Sequence, residues 1–189
     1  MTGARILELG CGTGAVGIYA AGLGASDVVM TDVGDNENAL LRLAAANIRS
    51  NTNLFSEQRV CRVAPYAWGS ALTAIVDDGT GLDLVLGSDL TYARKSHRAL
   101  CETLVQVLTD PSRFGSPRVI LAHEHRRFAQ AREGTEEPGP LPMGDDDEGF
   151  SHFIEVADGM GLRVARLDGE AQAKHGLRDI SLLEISSQA

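Results

Sequence analysis

Short apolar runs alternate with longer stretches in which apolar residues recur at helical spacing. The first run covers residues 5–9 and ends in glycines. A stretch of small residues over 15–23 follows, and a second apolar run over 28–32 ends in an acid. Strands that alternate with helices are typical of βαβ units, which build a mainly parallel sheet with helices on both faces. The pattern therefore predicts an α/β fold that begins with strand, helix and strand.

The same two periodicities predict the remaining elements, with period 2 for strands and period 3.6 for helices. Further helices are expected at 40–48, 100–108 and 153–160. Further strands are expected at 60–63, 82–87, 118–123, 162–167 and 179–185, the last two as a hairpin. These elements occupy most of a chain of 189 residues. We therefore predict a single domain over 1–189, without a separate substrate domain.

One stretch breaks the alternation. Residues 131–149 contain three prolines, four glycines and the acidic run 145–148. A segment of this composition buries too little apolar area to offset the entropy lost on ordering. We expect a mobile acidic loop there.

Composition and charge narrow the class of protein. No apolar run approaches the roughly 20 residues that span a bilayer, so no membrane association is predicted. Three widely spaced cysteines fit a reducing compartment, and we expect a cytoplasmic monomer. The 26 acidic and 17 basic side chains give a net charge of −9. Phosphate backbones bind basic surfaces, so this balance disfavours nucleic acid as a partner.

The first predicted strand runs into the glycine-rich segment 8–14, ELGCGTG. The run from Gly12 to Gly17 has the G-x-G-x-x-G spacing of a dinucleotide loop, and Asp32 follows at the end of the next strand. Glycines let a ligand approach the backbone, and an acid after the second strand binds ribose hydroxyls. This arrangement serves S-adenosylmethionine (SAM) as well as NAD.

Three features favour SAM over NAD. Glu8 lies in the strand-to-loop turn, where it stabilises the cationic amino-acid end of SAM but repels a pyrophosphate. A short-chain dehydrogenase needs a Tyr-x-x-x-Lys pair, and Tyr92 and Lys95 are one position too close. The chain also has no predicted second domain for a dehydrogenase substrate. SAM is therefore the predicted cofactor.

Two further motifs make the assignment more specific. Trp68-Gly69 follows the third predicted strand, and the segment 89–92, DLTY, follows the fourth. Together with the glycine loop and Asp32, they resemble methyltransferase family 16, whose members are mostly protein-lysine methyltransferases. The segment 89–92 looks like the family's Asp-x-x-Tyr motif, and 121–126 looks like its fifth strand.

The resemblance implies a Rossmann-like, seven-stranded sheet with helices on both faces, in the order 3-2-1-4-5-7-6 with strand 7 antiparallel. It also implies methyl transfer to a lysine side chain of a protein substrate. A substantial segment precedes strand one in this family, and the resemblance implies that this N-terminal cap segment is missing here.

The candidate site gathers these motifs at the carboxyl ends of the strands, where ligands bind in open α/β sheets. Asp89 and Tyr92 are the predicted catalytic residues: Asp89 orients the substrate amine, and Tyr92 hydrogen-bonds to it or packs against it. The indole of Trp68 is expected to pack on the adenine. The residues predicted to bind SAM are Glu8, Gly10, Cys11, Gly12, Gly14, Asp32, Trp68 and Ser88. No metal site is predicted.

Structural roles remain open for several of these residues. Glu8 is also suited to brace the loop and Asp32 to cap a helix. Trp68 and Tyr92 are also suited to a core, and Cys11 to packing within the loop. At the level of function, two alternatives stay open: a small-molecule N- or O-methyltransferase of the same fold, and a SAM-binding module without activity.

His123 and His125 alternate along a predicted strand, but no third ligand is placed near them. We interpret them as ordinary strand residues rather than as a metal pair.

Overall fold

A computed structural model describes residues 2–34, 39–55, 60–76, 81–125, 148–167 and 180–188. In these ranges the strands are β1 (Arg5–Leu9), β2 (Asp27–Asp32), β3 (Val60–Pro65), β4 (Leu84–Ser88), β5 (Arg118–Glu124), β6 (Leu162–Arg166) and β7 (Ile180–Ser187). The α-helices are α1 (Ala15–Gly22), α2 (Ala39–Ser50), α3 (His97–Thr109), α4 (Pro111–Phe114) and α5 (Glu148–Gly159). Among these helices, none is long and apolar enough to cross a membrane.

The described strands form one sheet in the order β3-β2-β1-β4-β5-β7-β6. The first five strands in chain order pair in parallel, and β7 runs antiparallel to both β5 and β6. This confirms the predicted strand order and the predicted direction of strand 7. The order reverses between β1 and β4, so the strand-to-helix turns that follow these two strands lie side by side.

Helices cover both faces because side chains alternate along each strand. On β1, Ile6 belongs to the core that packs under α1 and α2. Its neighbours Leu7 and Leu9 belong to the larger core under α3 and α5, together with Val85 on β4. Burial on both faces explains why the strands appear in the sequence as continuous apolar runs.

Most element boundaries differ from the predicted ones by a few residues, and three differences stand out. Strand β4 begins at Leu84 rather than at residue 82, because the amide of Leu82 donates to Phe114 O at 2.7 Å. The short helix α4 was not predicted, although Asp110 before Pro111 is a strong start signal; the Asp110 side chain accepts the amide of Arg113. Helix α5 ends at Gly159, and Gly161 follows with φ +75°.

The structure describes only the last two residues, 148 and 149, of the predicted acidic loop. Residues 131–147 lie outside the described residues. Glu148 and Gly149, which we predicted in the loop, instead belong to the first turn of α5. An acidic side chain in the first turn is stabilised by the exposed amides of a helix start, and this favours Glu148 in the helix.

Candidate functional site

The turn after β1 depends on glycine at three alternate positions. Gly10, Gly12 and Gly14 have φ values of +62°, +55° and +85°, a region that other residues rarely adopt. Gly14 is also the N-cap residue of α1, which begins at Ala15. A Cβ added to Gly12 would meet no described atom within 4 Å, so the backbone is open to a ligand at this point.

Neighbouring elements hold this turn in place. The amide of Cys11 donates to Thr31 O at 2.8 Å, and the amide of Gly12 donates to Asp32 Oδ2 at 2.8 Å. From α2, Asn47 Nδ2 donates to Thr13 O at 2.9 Å. The turn is thus fixed from β2 and α2 by hydrogen bonds within the protein. Thr31 and Asn47 were not predicted as site residues, because their partners are distant in sequence and no motif marks them.

Glu8 lies beneath the turn rather than on its surface. Its side chain is 2% exposed, and Oε2 accepts the amide of Gly17 in α1 at 3.0 Å. The pKa of Glu8 is raised from 4.5 to about 7, mainly by burial and also by the charge of Asp32, against the lowering effect of the hydrogen bond from Gly17. These contacts match the bracing role that the sequence left open. A role for Glu8 in cofactor binding stays a prediction.

Gly17 allows this close approach of α1 to the sheet. A Cβ at this position would lie 2.5 Å from Glu8 Oε2 and 2.5 Å from Met30 Cγ. Real Cβ atoms do not approach other atoms so closely, so a larger residue at position 17 would require the side chains of Met30 and Glu8 to move.

Asp32 stands at the carboxyl end of β2 and is partly exposed. Its Oδ1 accepts the amide of Val33 at 2.8 Å, and its Oδ2 accepts the amide of Gly12. A carboxylate oxygen has capacity for more than one hydrogen bond. Asp32 is therefore able to brace the glycine turn and still accept ribose hydroxyls, the role predicted for it.

We expect Asp32→Ala to weaken binding of S-adenosylhomocysteine about tenfold, or roughly 1.5 kcal/mol, the lower range for a hydrogen bond to a charged group. Calorimetry measures this affinity. Asp83→Ala is a suitable control, because this exposed aspartate precedes β4 at the opposite end of the sheet. An unchanged affinity for Asp32→Ala would assign Asp32 a structural role only.

Cys11 is buried, and its amide is bonded to Thr31 O. Burial raises the pKa of its thiol to about 12, with further contributions from the charges of Glu8 and Asp32. The thiol is therefore protonated at neutral pH and is not a nucleophile. This placement matches the packing role that the sequence left open for Cys11.

The residues after β4 form a tight turn over 89–92, here called the β4 turn. Asp89 has φ +56°, and in the described residues it is the one non-glycine residue with a left-handed backbone. Its amide donates to Ala122 O on β5 at 2.8 Å. Tyr92 is 60% exposed, so the alternative that it is a core aromatic residue is wrong. Ser88, the last residue of β4, is also exposed.

Leu90 connects the β4 turn to the glycine turn. Its side chain is buried, and its Cδ2 lies 2.5 Å from the place where Gly10 would carry a Cβ. Its Cδ1 lies 2.5 Å from the corresponding place at Gly87. The predicted cofactor turn and the predicted catalytic turn are therefore in direct contact, with Leu90 between two glycines.

Trp68 lies beside the same point. Its indole is half-buried against the larger core, and its Cζ2 lies 3.3 Å from the Cβ position of Gly10. The following amide, of Gly69, donates to Thr103 Oγ1 on α3 at 2.9 Å. Tyr66 also bonds Thr103, and its hydroxyl donates to Ser70 O at 2.9 Å. Trp68 thus lies beside the glycine turn and also packs partly in the core.

The sheet brings the predicted residues to one edge. Leu9 pairs with Thr31 on one side and with Gly87 on the other, so the turns after β1, β2 and β4 share a level. The next residues along these three strands are the glycine turn, Asp32 and Ser88. This edge carries acidic, aromatic and glycine residues together, as a cleft for a nucleoside with a cationic group requires.

Comparisons with known proteins agree with this geometry. The family model described as lysine methyltransferase, methyltransferase family 16, matches residues 1–133. Protein N-lysine methyltransferase METTL21A of Danio rerio is 38% identical over 104 residues, which cover 55% of this chain and 44% of that protein. EEF1A lysine methyltransferase 3 of Xenopus tropicalis is 32% identical over 130 residues, which cover 68% of this chain and 53% of that protein. The chain spans about half the length of the curated relatives it matches.

Solved structures share the fold at low sequence identity. A SAM-dependent methyltransferase from Aquifex aeolicus has a TM-score of 0.60 at 14% identity, covering 97% of this chain and 82% of that chain. Magnesium protoporphyrin IX methyltransferase of Synechocystis PCC 6803 has a TM-score of 0.57 at 16% identity, covering 97% and 74%. These likenesses confirm the Rossmann-like methyltransferase fold. Because the family model covers more than half of the chain, this protein belongs to the lysine methyltransferase family that its motifs resemble.

Proposed function

We propose that this chain is a SAM-dependent methyltransferase that transfers a methyl group to a lysine side chain of a protein. The observation that carries the proposal is the contact of the β4 turn, with Asp89 and Tyr92, against the glycine turn through Leu90. Asp89 and Tyr92 lie within two residues of Leu90 in the chain, which supports a role for this carboxylate and this exposed tyrosine beside the predicted cofactor turn. Family membership and the names of the lysine methyltransferase relatives support the same conclusion.

The residues at the glycine turn fit SAM better than NAD. Glu8 lies beneath the turn, where its Oε2 accepts the amide of Gly17. An acid at this point favours a ligand with a sulfonium and an ammonium group and disfavours a pyrophosphate, whereas Asp32 suits the ribose of either cofactor. The open space at Gly12 leaves room for the ligand against the backbone. When bound, SAM supplies a methyl group that its sulfonium activates for transfer.

The chain's own residues then have to orient the acceptor. A lysine amine has an ordinary pKa near 10.4, so its neutral form costs roughly 4–5 kcal/mol at pH 7. A carboxylate beside the amine favours the charged form, so Asp89 does not lower the pKa of the amine. Asp89 instead accepts hydrogen bonds from the amine and holds it in line for transfer. Tyr92 packs along the lysine stem or hydrogen-bonds to the amine.

Binding assays separate the cofactor classes. We expect calorimetry to detect SAM and S-adenosylhomocysteine and to detect no NAD, because Glu8 disfavours a pyrophosphate and Tyr92 and Lys95 are one position too close for a Tyr-x-x-x-Lys pair. NAD that binds more tightly than S-adenosylhomocysteine would overturn the methyltransferase proposal.

The acceptor is tested by incubating the protein with SAM labelled in its methyl group and a lysate from methylation-deficient cells. A labelled protein band that yields methyl-lysine on hydrolysis supports the proposal, and methyl-arginine or methyl-histidine would correct the target residue. Label in small molecules alone would support the alternative of a small-molecule methyltransferase. Binding of S-adenosylhomocysteine with no label in any acceptor would identify an inactive SAM-binding module.

A further inference from the structure

Four histidines form a cluster beside the β4 turn: His123 and His125 pack against Phe150, and His97 and His152 pack against each other. The ring of His123 stacks on Phe150 with a centroid distance of 4.5 Å and an interplanar angle of 19°. His125 packs edge-on against His123 at 4.6 Å. The Nδ1 atoms of His97 and His152 lie 2.8 Å apart, which joins the start of α3 to α5. None of these four residues belongs to the glycine turn, to Trp68-Gly69 or to the segment 89–92.

Two of these histidines form hydrogen bonds with the same residue of the β4 turn, Thr91. His97 Nε2 lies 2.9 Å from the carbonyl oxygen of Thr91. His123 Nδ1 forms a hydrogen bond with the hydroxyl of the same threonine. Thr91, His97 and His123 are at most 2% exposed. The turn is therefore fixed through both the backbone and the side chain of Thr91, by rings from α3 and β5.

The tautomers follow from the chemistry of the partners. A carbonyl oxygen only accepts, so Nε2 of His97 carries a proton and donates it to Thr91. In the neutral ring, Nδ1 of His97 then accepts, and Nδ1 of His152 is the donor. Burial lowers the pKa of His97, and the charges of His152, Arg94 and His123 lower it further, while the bond to Thr91 raises it. The neutral form that this arrangement needs is thus favoured.

The turn needs such support because of Asp89. A left-handed backbone is unfavourable for a residue with a Cβ, and it persists where the surroundings determine it. Leu90 is wedged between two glycines, and Thr91 is bonded to two histidines. The two residues between Asp89 and Tyr92 are therefore anchored, while the carboxylate of Asp89 and the exposed ring of Tyr92 flank them at the predicted acceptor position.

We propose that His97 and His123 are positioning residues for methyl transfer, which act through Thr91 to hold Asp89 and Tyr92 against the glycine turn. This inference rests on the proposed function, because it assigns the β4 turn to the acceptor. Neither histidine is proposed to touch the cofactor or the acceptor. Their effect is on the geometry of transfer, where a small displacement of the reacting groups lowers the rate strongly.

A matched pair of variants isolates the bond to Thr91. In His97→Gln, the amide nitrogen reaches the place of Nε2 and keeps a donor for the carbonyl of Thr91. In His97→Asn, the amide reaches only the place of Nδ1 and keeps only the contact with His152. We expect His97→Gln to retain at least half of the wild-type kcat and His97→Asn to lose tenfold or more. The affinity for S-adenosylhomocysteine should stay within twofold in both.

Thr91→Val tests the second anchor, since it removes the hydroxyl bonded to His123 at nearly constant volume. A similar loss of kcat is expected. Ser181→Ala is the control: it removes the 2.7 Å bond between His125 and Ser181, at a buried position of the same cluster, without touching Thr91. It should lower the melting temperature as much as Thr91→Val does and leave kcat unchanged.

Methyl transfer is measured with labelled SAM and the acceptor band of the wild-type protein, and hydrogen exchange of the amides in residues 89–93 is measured without any acceptor. We expect faster exchange in His97→Asn than in His97→Gln. Wild-type protein that labels no acceptor, together with this exchange difference, would reject the proposed function and retain the anchoring of the turn. Normal transfer and unchanged exchange in His97→Asn would overturn the inference. A loss of kcat in Ser181→Ala that parallels its loss of melting temperature would overturn it too.

Discussion

Asp89→Asn is expected to lower methyl transfer about 30- to 150-fold, which corresponds to about 2–3 kcal/mol for one charge-assisted contact with the reacting group. The substitution keeps the shape of the side chain and removes its charge. Asparagine tolerates a left-handed backbone about as well as aspartate, so the φ of +56° at this position is not an obstacle. The β4 turn should therefore keep its conformation while the acceptor amine loses its partner.

Three measurements on Asp89→Asn separate this role from a structural one: melting temperature, affinity for S-adenosylhomocysteine and rate of methyl transfer. A contact made mainly with the reacting group lowers turnover without changing cofactor affinity. Tyr92→Phe is a companion variant that removes only a hydroxyl from an exposed ring, and its loss should be smaller if packing dominates. Wild-type transfer by a stably folded Asp89→Asn protein would remove the main support for Asp89 as the residue that orients the acceptor.

Glu8→Gln is expected to stabilise the cofactor-free protein at pH 8 by about 3 kcal/mol, since one pKa unit corresponds to about 1.36 kcal/mol. In the folded chain the pKa of Glu8 is raised from 4.5 to about 7. The folded state therefore holds this proton more tightly than the unfolded state does, and the stability it contributes is fully present below pH 4.5. That contribution is lost as the pH rises through 7. Glutamine keeps an oxygen for the amide of Gly17 and has no charge to bury.

The free energy of unfolding in urea at pH 4.5 and pH 8 tests this expectation. The difference between Glu8→Gln and the wild type should be small at pH 4.5 and should grow until about pH 7. Glu155→Gln, which removes an exposed carboxylate from α5, controls for the change in net charge and should behave like the wild type. A difference that does not depend on pH would mean that the pKa of Glu8 is the same in the folded and the unfolded chain. The gain in stability should come with weaker SAM binding, if Glu8 also stabilises the cationic end of the ligand.

The fold was predictable from local patterns, with the strand order supplied by the family resemblance. Continuous apolar runs predicted all of the described strands, because a parallel sheet with helices on both faces buries both sides of each strand. The boundaries at β4, α4 and α5 were not predicted. They depend on single contacts, such as the amide of Leu82 on the carbonyl of Phe114, that a periodic pattern does not contain.

The candidate site was predictable where its residues follow strands. Asp32 and Asp89 stand directly after apolar runs, and the topology of a parallel sheet brings such positions to one edge. The anchors of the β4 turn were not predictable. Thr91 and His123 are 32 positions apart, and His97 and His152 are 55 positions apart. Single histidines on different elements have no spacing that marks them as partners.

Because Leu90 packs against Gly87, the effects of substitutions at these two positions depend on each other. At Gly87 the backbone is not left-handed, so space alone excludes a larger residue there, and a Cβ would lie 2.5 Å from Leu90 Cδ1 and 2.8 Å from Leu121 Cδ2. Overpacking of this kind costs about 1–3 kcal/mol. Alanine at position 87 is therefore tolerated best in a background where residue 90 has already become smaller. The order of the two substitutions therefore matters in the divergence of this chain. A smaller residue at 90 makes room for a side chain at 87, whereas a side chain introduced first at 87 overlaps Leu90.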